Sequence, residues 1–466
     1  MNNTYTHGPL GPVFVRTALP IIFLMAMNGL LTVVDAIYLG VFVGADALSA
    51  VTLMFPLFML IVALSSLVAN GMASVLARHL GANAIGQARA EFVGAHGLSL
   101  IVCLILVVLF LAGARPLTLA AANGSETLAQ MGHVYLSIAV FSSPIAFALA
   151  VQSTALRVEG KVGLMAMTGL LVILANLALN YVLIAVMGLG VAGSALGTAI
   201  AQAVALLVIL GFRLGKTSPL RLAGLDWSRL GTGWPGFLAL GAPQSLSFVG
   251  LSLGSGAVIF MLQTVDTGHY DTTVAAYGIV MRILSFAFLV LMGMSQALQA
   301  IVGNNFGAGL WQRSDRILVI AMVCGLIYTA GAEILLVSLR HNWGGMFVND
   351  PAVIAEVARI MPMMVALYAL AGPQTMISTY FQAIGDAPAR THLSLRPSPD
   401  ANPADGVRRD RNLDRQPGGR MPDARRDRHG PFPERPPHRR RLGPVSWPQS
   451  CAAGSKHRRM KKGPDA

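Results

Sequence analysis

The sequence predicts an all-α polytopic membrane protein built from two six-helix repeats, with about ten of the twelve expected helices in this chain. Three observations predict it. Hydrophobic residues make up 54% of the chain and charged residues 12%, with a mean hydropathy of +0.62; a soluble domain carries about twice that charge fraction. Ten stretches are apolar over the roughly 20 residues that a helix needs to cross a hydrocarbon core. The chain also repeats itself. Pro20 in "ALPIIF" recurs as Pro243 in "GAPQSL", an offset of 223. Gly81-Ala82 recurs as Gly307-Ala308, an offset of 226, and "LRVEG" ending at Gly160 recurs as "FQAIG" ending at Gly385, an offset of 225.

The spans follow in order. The first, 13–38, has no basic region before it and is long enough to cross, so it reads as a retained helix and not a signal peptide. It holds Pro20, expected to bend it, and Asp35. The second and third, 48–77 and 93–113, flank a loop with Arg78 and Arg89. The fourth, 130–153, leads to Arg157 and Lys161. The fifth, 163–187, carries Asn176 and Asn180 one turn apart on one face. The sixth, 191–212, has small residues at Gly190, Gly193 and Gly197, suited to close helix packing. The seventh, 235–262, opens the second repeat with Pro243. The eighth, 273–302, runs into "GNNFGAG"; the ninth is 317–338 and the tenth 360–382.

These spans divide the chain. Residues 1–212 form an N-terminal six-helix lobe, 213–234 a basic cytoplasmic linker, and 235–386 an incomplete C-terminal lobe of four helices. Residues 387–466 form a tail expected to be disordered. The tail holds 19 Lys+Arg against 8 Asp+Glu and 13 of the 25 prolines. The sequence pI of about 10.2 therefore describes the tail and implies no nucleic-acid affinity of the whole chain. Partners of spans five and six are expected near 388–412 and 416–437, yet neither window suits a bilayer, since each central Arg or Asp costs about 2.5–3.5 kcal/mol there. An out-of-frame stretch from about 390–400 is the preferred reading. The other is a basic disordered tail that binds anionic lipid or nucleic acid. Its one Trp and absent Tyr lack the aromatic interleaving of a single-strand binder.

Basic residues orient the chain. Arg16 and the loops after even-numbered spans carry eleven Lys+Arg, against three (Arg115, Arg340, Arg359) in the opposite loops. The N-terminus is therefore expected to be cytoplasmic. Six spans per repeat is an even number, so the halves are parallel copies about an axis along the membrane normal.

Ionisable and polar residues inside spans are the candidate site. Asp35 offers a carboxylate that can bind a proton or Na⁺; its plain alternative is an interfacial cap. Asn176 and Asn180 can present two amide oxygens to a cation or bond a neighbouring carboxylate; the alternative is interhelical hydrogen bonding. Arg282 and Glu333 are expected to pair, or else to reach the interface separately. Gln152, Gln244, Gln296, Gln299, Gln374 and Gln382, with Tyr277, Tyr368 and Tyr380, are candidates to line a cavity. Cys103, Cys324 and Cys451 have no metal or disulfide spacing. "GNNFGAG" is not a phosphate loop, since no Gly-Lys-Ser/Thr follows. Without a Walker motif, triad or metal cluster, neither an ATP-driven pump nor an enzyme is expected, and no cofactor.

The combined segments "LP…VVDAIYLGVFVGADALSAVTLMFPL" (19–57), "GMASVLARHLGA" (71–82), "LANLALNYVLI" (174–184), "AAYGIVMRI" (275–283), "SQALQAIVGNNFGAG" (295–309) and "TYFQAIGDA" (379–387) resemble the multidrug and toxic compound extrusion (MATE) transporters. The resemblance covers about 13–396. It implies two six-helix lobes around a cavity open alternately to each side. It also implies export of amphipathic, often cationic compounds by antiport with H⁺ or Na⁺. Asp35 falls on the family's acidic residue of the first helix, tied to cation coupling, and Asn176 and Asn180 on its fifth-helix polar pair. Leu251 stands where one branch has a glutamate for a Na⁺ site in the C-terminal lobe. The resemblance implies a bacterial inner-membrane protein, a small-molecule substrate, a lipid environment and a monomer. The alternatives are a related lipid-linked oligosaccharide flippase, which would want a strongly cationic cavity, or a truncated, inactive transporter.

Overall fold

The computed structural model describes residues 3–122, 124–215, 218–265 and 270–385. The 387–466 tail and the side chain of Leu251 lie outside the described residues, with the readings made of them. Among the described residues there is no strand. The helices are α1 (Leu10–Phe42), α2 (Ala45–Gly81), α3 (Ile85–Ala121), α4 (Glu126–Val158), α5 (Val162–Asn180), α6 (Gly190–Leu214), α7 (Trp234–Val265), α8 (Tyr270–Gly307), α9 (Trp311–Ser338), the short α10 (Arg340–Trp343), α11 (Pro351–Val365) and α12 (Tyr368–Ile384). Eight of these elements are long and apolar enough to cross a membrane, nine if the bent α11–α12 pair is one span, counted over the described residues. Several are longer than the roughly 20 residues a bilayer needs: α2 has 37 and α8 has 38. They therefore project past the hydrocarbon.

The packing has an axial core. Val68 to Leu80 on α2 are buried without a break, whereas the first half of α2 buries only Ala47, Ala50, Met54, Ile61 and Ala63. A helix buried on all sides sits inside a bundle, and one buried on a single face sits at its edge. The repeat-related part of α8 behaves alike, with Ala297 to Val302 and Asn304 and Asn305 all buried. α2 packs on α3, α4, α7 and α8; α1 packs on α5 and α8; α8 packs on α9, α11 and α12.

The tenth expected span, 360–382, is interrupted. α11 and α12 meet at a bend of 42°. The break is chemically supported from α9. The Ala369 N–H has no partner within its own first helical turn, and it donates to Glu333 Oε2 at 2.7 Å. Pro373 has no N–H to offer the Ala369 carbonyl, and Thr329 Oγ1 lies 2.8 Å from that oxygen. Glu333 thus caps a helix start and forms no ion pair with Arg282, which is exposed. The expected Arg282–Glu333 pair is corrected accordingly: a carboxylate one turn from Thr329 meets the new helix start before it meets a cation.

Arginines expected in cytoplasmic loops are buried helix ends instead. Arg213 and Glu159 form an ion pair at 2.9 Å, both side chains fully buried. Burying such a pair is tolerated only when further hydrogen bonds satisfy it. Here Ser218 Oγ donates to Glu159 Oε2 at 2.8 Å and Arg213 Nε donates to Gln152 Oε1. The expected linker 213–234 is thereby anchored, and Arg89 Nε also donates to Pro219 O at 2.9 Å.

Candidate cation-coupling site

Asp35 lies in α1, 15 residues beyond Pro20, and α1 continues through that proline without a break. α5 brings Asn176 and Asn180 to it. Asn180 Nδ2 donates to Asp35 Oδ1 at 2.6 Å and to Asn176 Oδ1 at 3.0 Å. Asn176 Nδ2 in turn donates to Thr198 Oγ1 of α6 at 2.8 Å. The two asparagines are buried, at 1% and 0% exposure, while Asp35 is half-buried. The three residues expected from sequence therefore form one hydrogen-bonded chain across α1, α5 and α6.

Two local features build this chain. α6 approaches α5 closely because a side chain at Gly197 would strike Asn180 Oδ1, and one at Gly193 would strike the Leu183 carbonyl. Directly after Asn180 the helix widens into a π-helical turn, Tyr181–Val186. Such turns insert one extra residue and recur at functional sites. Nothing in "NYVLIAV" marks it in the sequence. Thr198 was also missed; a threonine in an apolar helix carries no signal until its neighbour is known.

The Asn176 amide has two orientations of chemical interest. In the one described, its oxygen stands 3.1 Å from Asp35 Oδ1, which suits a protonated carboxyl donating to it. Turned over, its nitrogen donates to Asp35 Oδ1 at 3.1 Å and its oxygen accepts from Thr198 Oγ1 at 2.8 Å, which suits an ionised carboxylate. Turning Asn176 alone sets two amide nitrogens 3.0 Å apart, so Asn180 must rearrange with it. Asn180 Oδ1 is buried and, among the described residues, accepts no hydrogen bond. A buried acceptor left unpaired costs on the order of 1–3 kcal/mol.

The C-terminal candidates do not converge. Gln244 Nε2 donates to Met292 Sδ at 3.6 Å, Tyr277 is buried, Arg282 is exposed and Glu333 caps α12. Among the described residues no hydrogen bond or ion pair joins any two of them. Several of the other polar residues expected to line a cavity make contacts between helices. Gln152 serves Arg213, Gln296 and Gln299 accept from Arg157 at 2.5 and 3.4 Å, Gln382 donates to Leu240 O at 2.6 Å, and Tyr380 donates to Asp315. These residues seal helix junctions, because a buried amide gains most where a helix end or guanidinium lacks a partner. A cavity of about 420 Å³ beside Ile327, Tyr328, Leu335 and Trp343 is lined by none of the expected site residues.

The sequence profile of the MatE family matches residues 20–182 and 243–394, beginning each time at a proline that aligns the repeats. The chain is similar to the multidrug export protein MepA of Staphylococcus aureus (strain N315), 23% identical over 402 residues, which cover 84% of this chain and 85% of that protein. MepA of Staphylococcus haemolyticus (strain JCSC1435) is 25% identical over 382 residues, covering 80% and 82%. Among solved structures, an outward-facing multidrug resistance MATE family transporter of the MOP superfamily superposes with a TM-score of 0.75 at 22% identity, over 84% of this chain and 87% of that one. A MATE structure in complex with MaL6 gives a TM-score of 0.75 at 21% identity, over 84% and 88%. At these identities the solved structures speak for the fold alone.

Proposed function

The chain belongs to the MatE family of multidrug efflux transporters, and on that premise we propose that it exports amphipathic, often cationic small molecules by antiport with H⁺ or Na⁺, with Asp35 as the coupling residue. The observation that carries the reading is the 2.6 Å bond from Asn180 Nδ2 to Asp35 Oδ1 within an apolar bundle. A carboxylate inside a membrane span is expensive unless it has partners and a purpose.

The bond from Asn180 to Asp35 supports a mechanism. Protonation of Asp35 adds a donor that the ionised carboxylate lacks, so the amides beside it must rearrange. A change of hydrogen-bond polarity at one helix contact biases the packing of α1 on α5 and α6. The ion moves the access equilibrium only by its different affinity for the two states. Na⁺ would be held by the oxygens of Asp35 and, once its amide turns away from Gly197, of Asn180.

Proteoliposomes holding the full chain test the reading. A fluorescent amphipathic cation should move against an imposed pH or Na⁺ gradient, and the gradient that drives it identifies the ion. Movement independent of both gradients would remove antiport.

A further inference from the structure

The "GNNFGAG" motif ends α8, and the coupling mechanism leaves it unused. Its Asn304 and Asn305 are fully buried. They hold the short segment that precedes α1. Asn3 Nδ2 donates to Asn304 Oδ1 at 2.7 Å, and Asn305 Nδ2 donates to Tyr5 O at 3.0 Å. Tyr5 itself is 1% exposed, and its hydroxyl donates to Arg157 O at 2.5 Å. Arg313 Nη2 lies 3.0 Å from His7 O and 2.7 Å from Gly8 O.

A segment ahead of the first helix is usually loosely held. This one is fastened to partners roughly 150 and 300 positions away, at the ends of α4 and α8 and the start of α9. It bridges the two repeats. Beneath it, Asn304 Nδ2 donates to Val158 O at 3.1 Å, and the Arg157 guanidinium reaches Gln296 and Gln299 of α8. The Tyr5 ring belongs to the main apolar core together with Phe14, Val158 and Leu298. Burial raises the pKa of its hydroxyl, which therefore stays a donor at any physiological pH.

We infer that residues 3–8 form a latch across the two repeats: the bundle opens at this end only when Tyr5 leaves its pocket, so the segment sets the balance between the two access states. The inference rests on the alternating-access reading above. Its residues act through helix packing and touch neither ion nor substrate, so they are positioning residues.

The test uses the full chain in membranes, with Cys103, Cys324 and Cys451 replaced by alanine and Ala300→Cys as a reporter buried in the seam, its alanine 1% exposed. Tyr5→Phe keeps the ring and removes only the hydroxyl, with its bonds to Arg157 O and Thr17, so folding is preserved. A membrane-impermeant thiol reagent added on the N-terminal side should label the reporter about fivefold faster in Tyr5→Phe, the effect of one buried hydrogen bond. An unchanged rate overturns the latch. In a second variant, Asn3→Cys with Asn304→Cys is oxidised to a disulfide that fastens the segment. Transport should stop on oxidation and return on reduction; transport by fully cross-linked protein also overturns the latch. Faster labelling in Tyr5→Phe, with no transport by even the unsubstituted chain, would keep the latch and remove the export reading instead.

Discussion

Arg78 and Asn304 make the same contact from opposite repeats. They stand 226 positions apart. Arg78 Nη1 donates to Ile384 O, the last carbonyl of α12, at 2.9 Å, and Asn304 Nδ2 donates to Val158 O, the last carbonyl of α4, at 3.1 Å. The acceptors are also 226 apart. Helix C-termini leave carbonyls without partners, and each repeat satisfies the other's. Gly160 and Gly385, which follow these carbonyls, both adopt left-handed backbone, φ +80° and +87°. They end α4 and α12 in the manner of glycine C-caps.

The glycines of the repeat are reciprocal too, and they yield the first prediction. A side chain at Gly81 would strike the Asn304 carbonyl, and one at Gly307 would strike the backbone of Arg78. Gly81→Ala and Gly307→Ala should each force the seam apart and open the N-terminal end, to a similar degree. Thiol labelling of Ala300→Cys in both backgrounds measures this. A change in one variant without the other would show that the two seams are not equivalent.

Asp35→Asn should abolish efflux of a fluorescent amphipathic cation while leaving the amount of membrane-inserted protein unchanged. Asparagine keeps the size and can still accept from Asn180 Nδ2, but it cannot change charge. Efflux at the unsubstituted rate would remove Asp35 from coupling.

Gly197→Ala should disturb the same site from behind. The added methyl meets Asn180 Oδ1, so α5 and α6 must separate or Asn180 must turn away from Asp35. Overpacking of this kind costs about 1–3 kcal/mol. Thermal unfolding in detergent should show a lower midpoint, and efflux should fall more than the protein level does.

Glu333 separates a cap from a charge. Glu333→Gln retains an oxygen for the Ala369 N–H and should leave stability nearly unchanged. Glu333→Ala leaves that donor unmet and should cost about 1 kcal/mol, as loss of a helix cap does. Equal melting of the two variants would mean the charge, and not the cap, is what matters at the α11–α12 bend.

Much of the site was legible in the chain. Asp35, Asn176 and Asn180 stand out because polar groups inside apolar runs are costly. Their partner Thr198 and the π-helical turn at Tyr181–Val186 were not legible, since neither leaves a periodic trace. The second-repeat charges misled for a related reason: Arg282 and Glu333 have opposite signs, but only the fold shows that a free helix N-terminus lies nearer to Glu333.

By itself the sequence determined the membrane class, most of the spans, and the repeat offsets, because hydropathy and internal similarity are written along the chain. The tertiary structure decided which residues close the bundle. Arg157, Asn304 and Asn305 read as a loop cation and a glycine-rich turn, and Tyr5 carries no signal, until packing sets them against one another. A hydrogen bond across 300 positions depends on how helices cross, and that geometry comes from the sum of many weak apolar contacts and not from any local pattern.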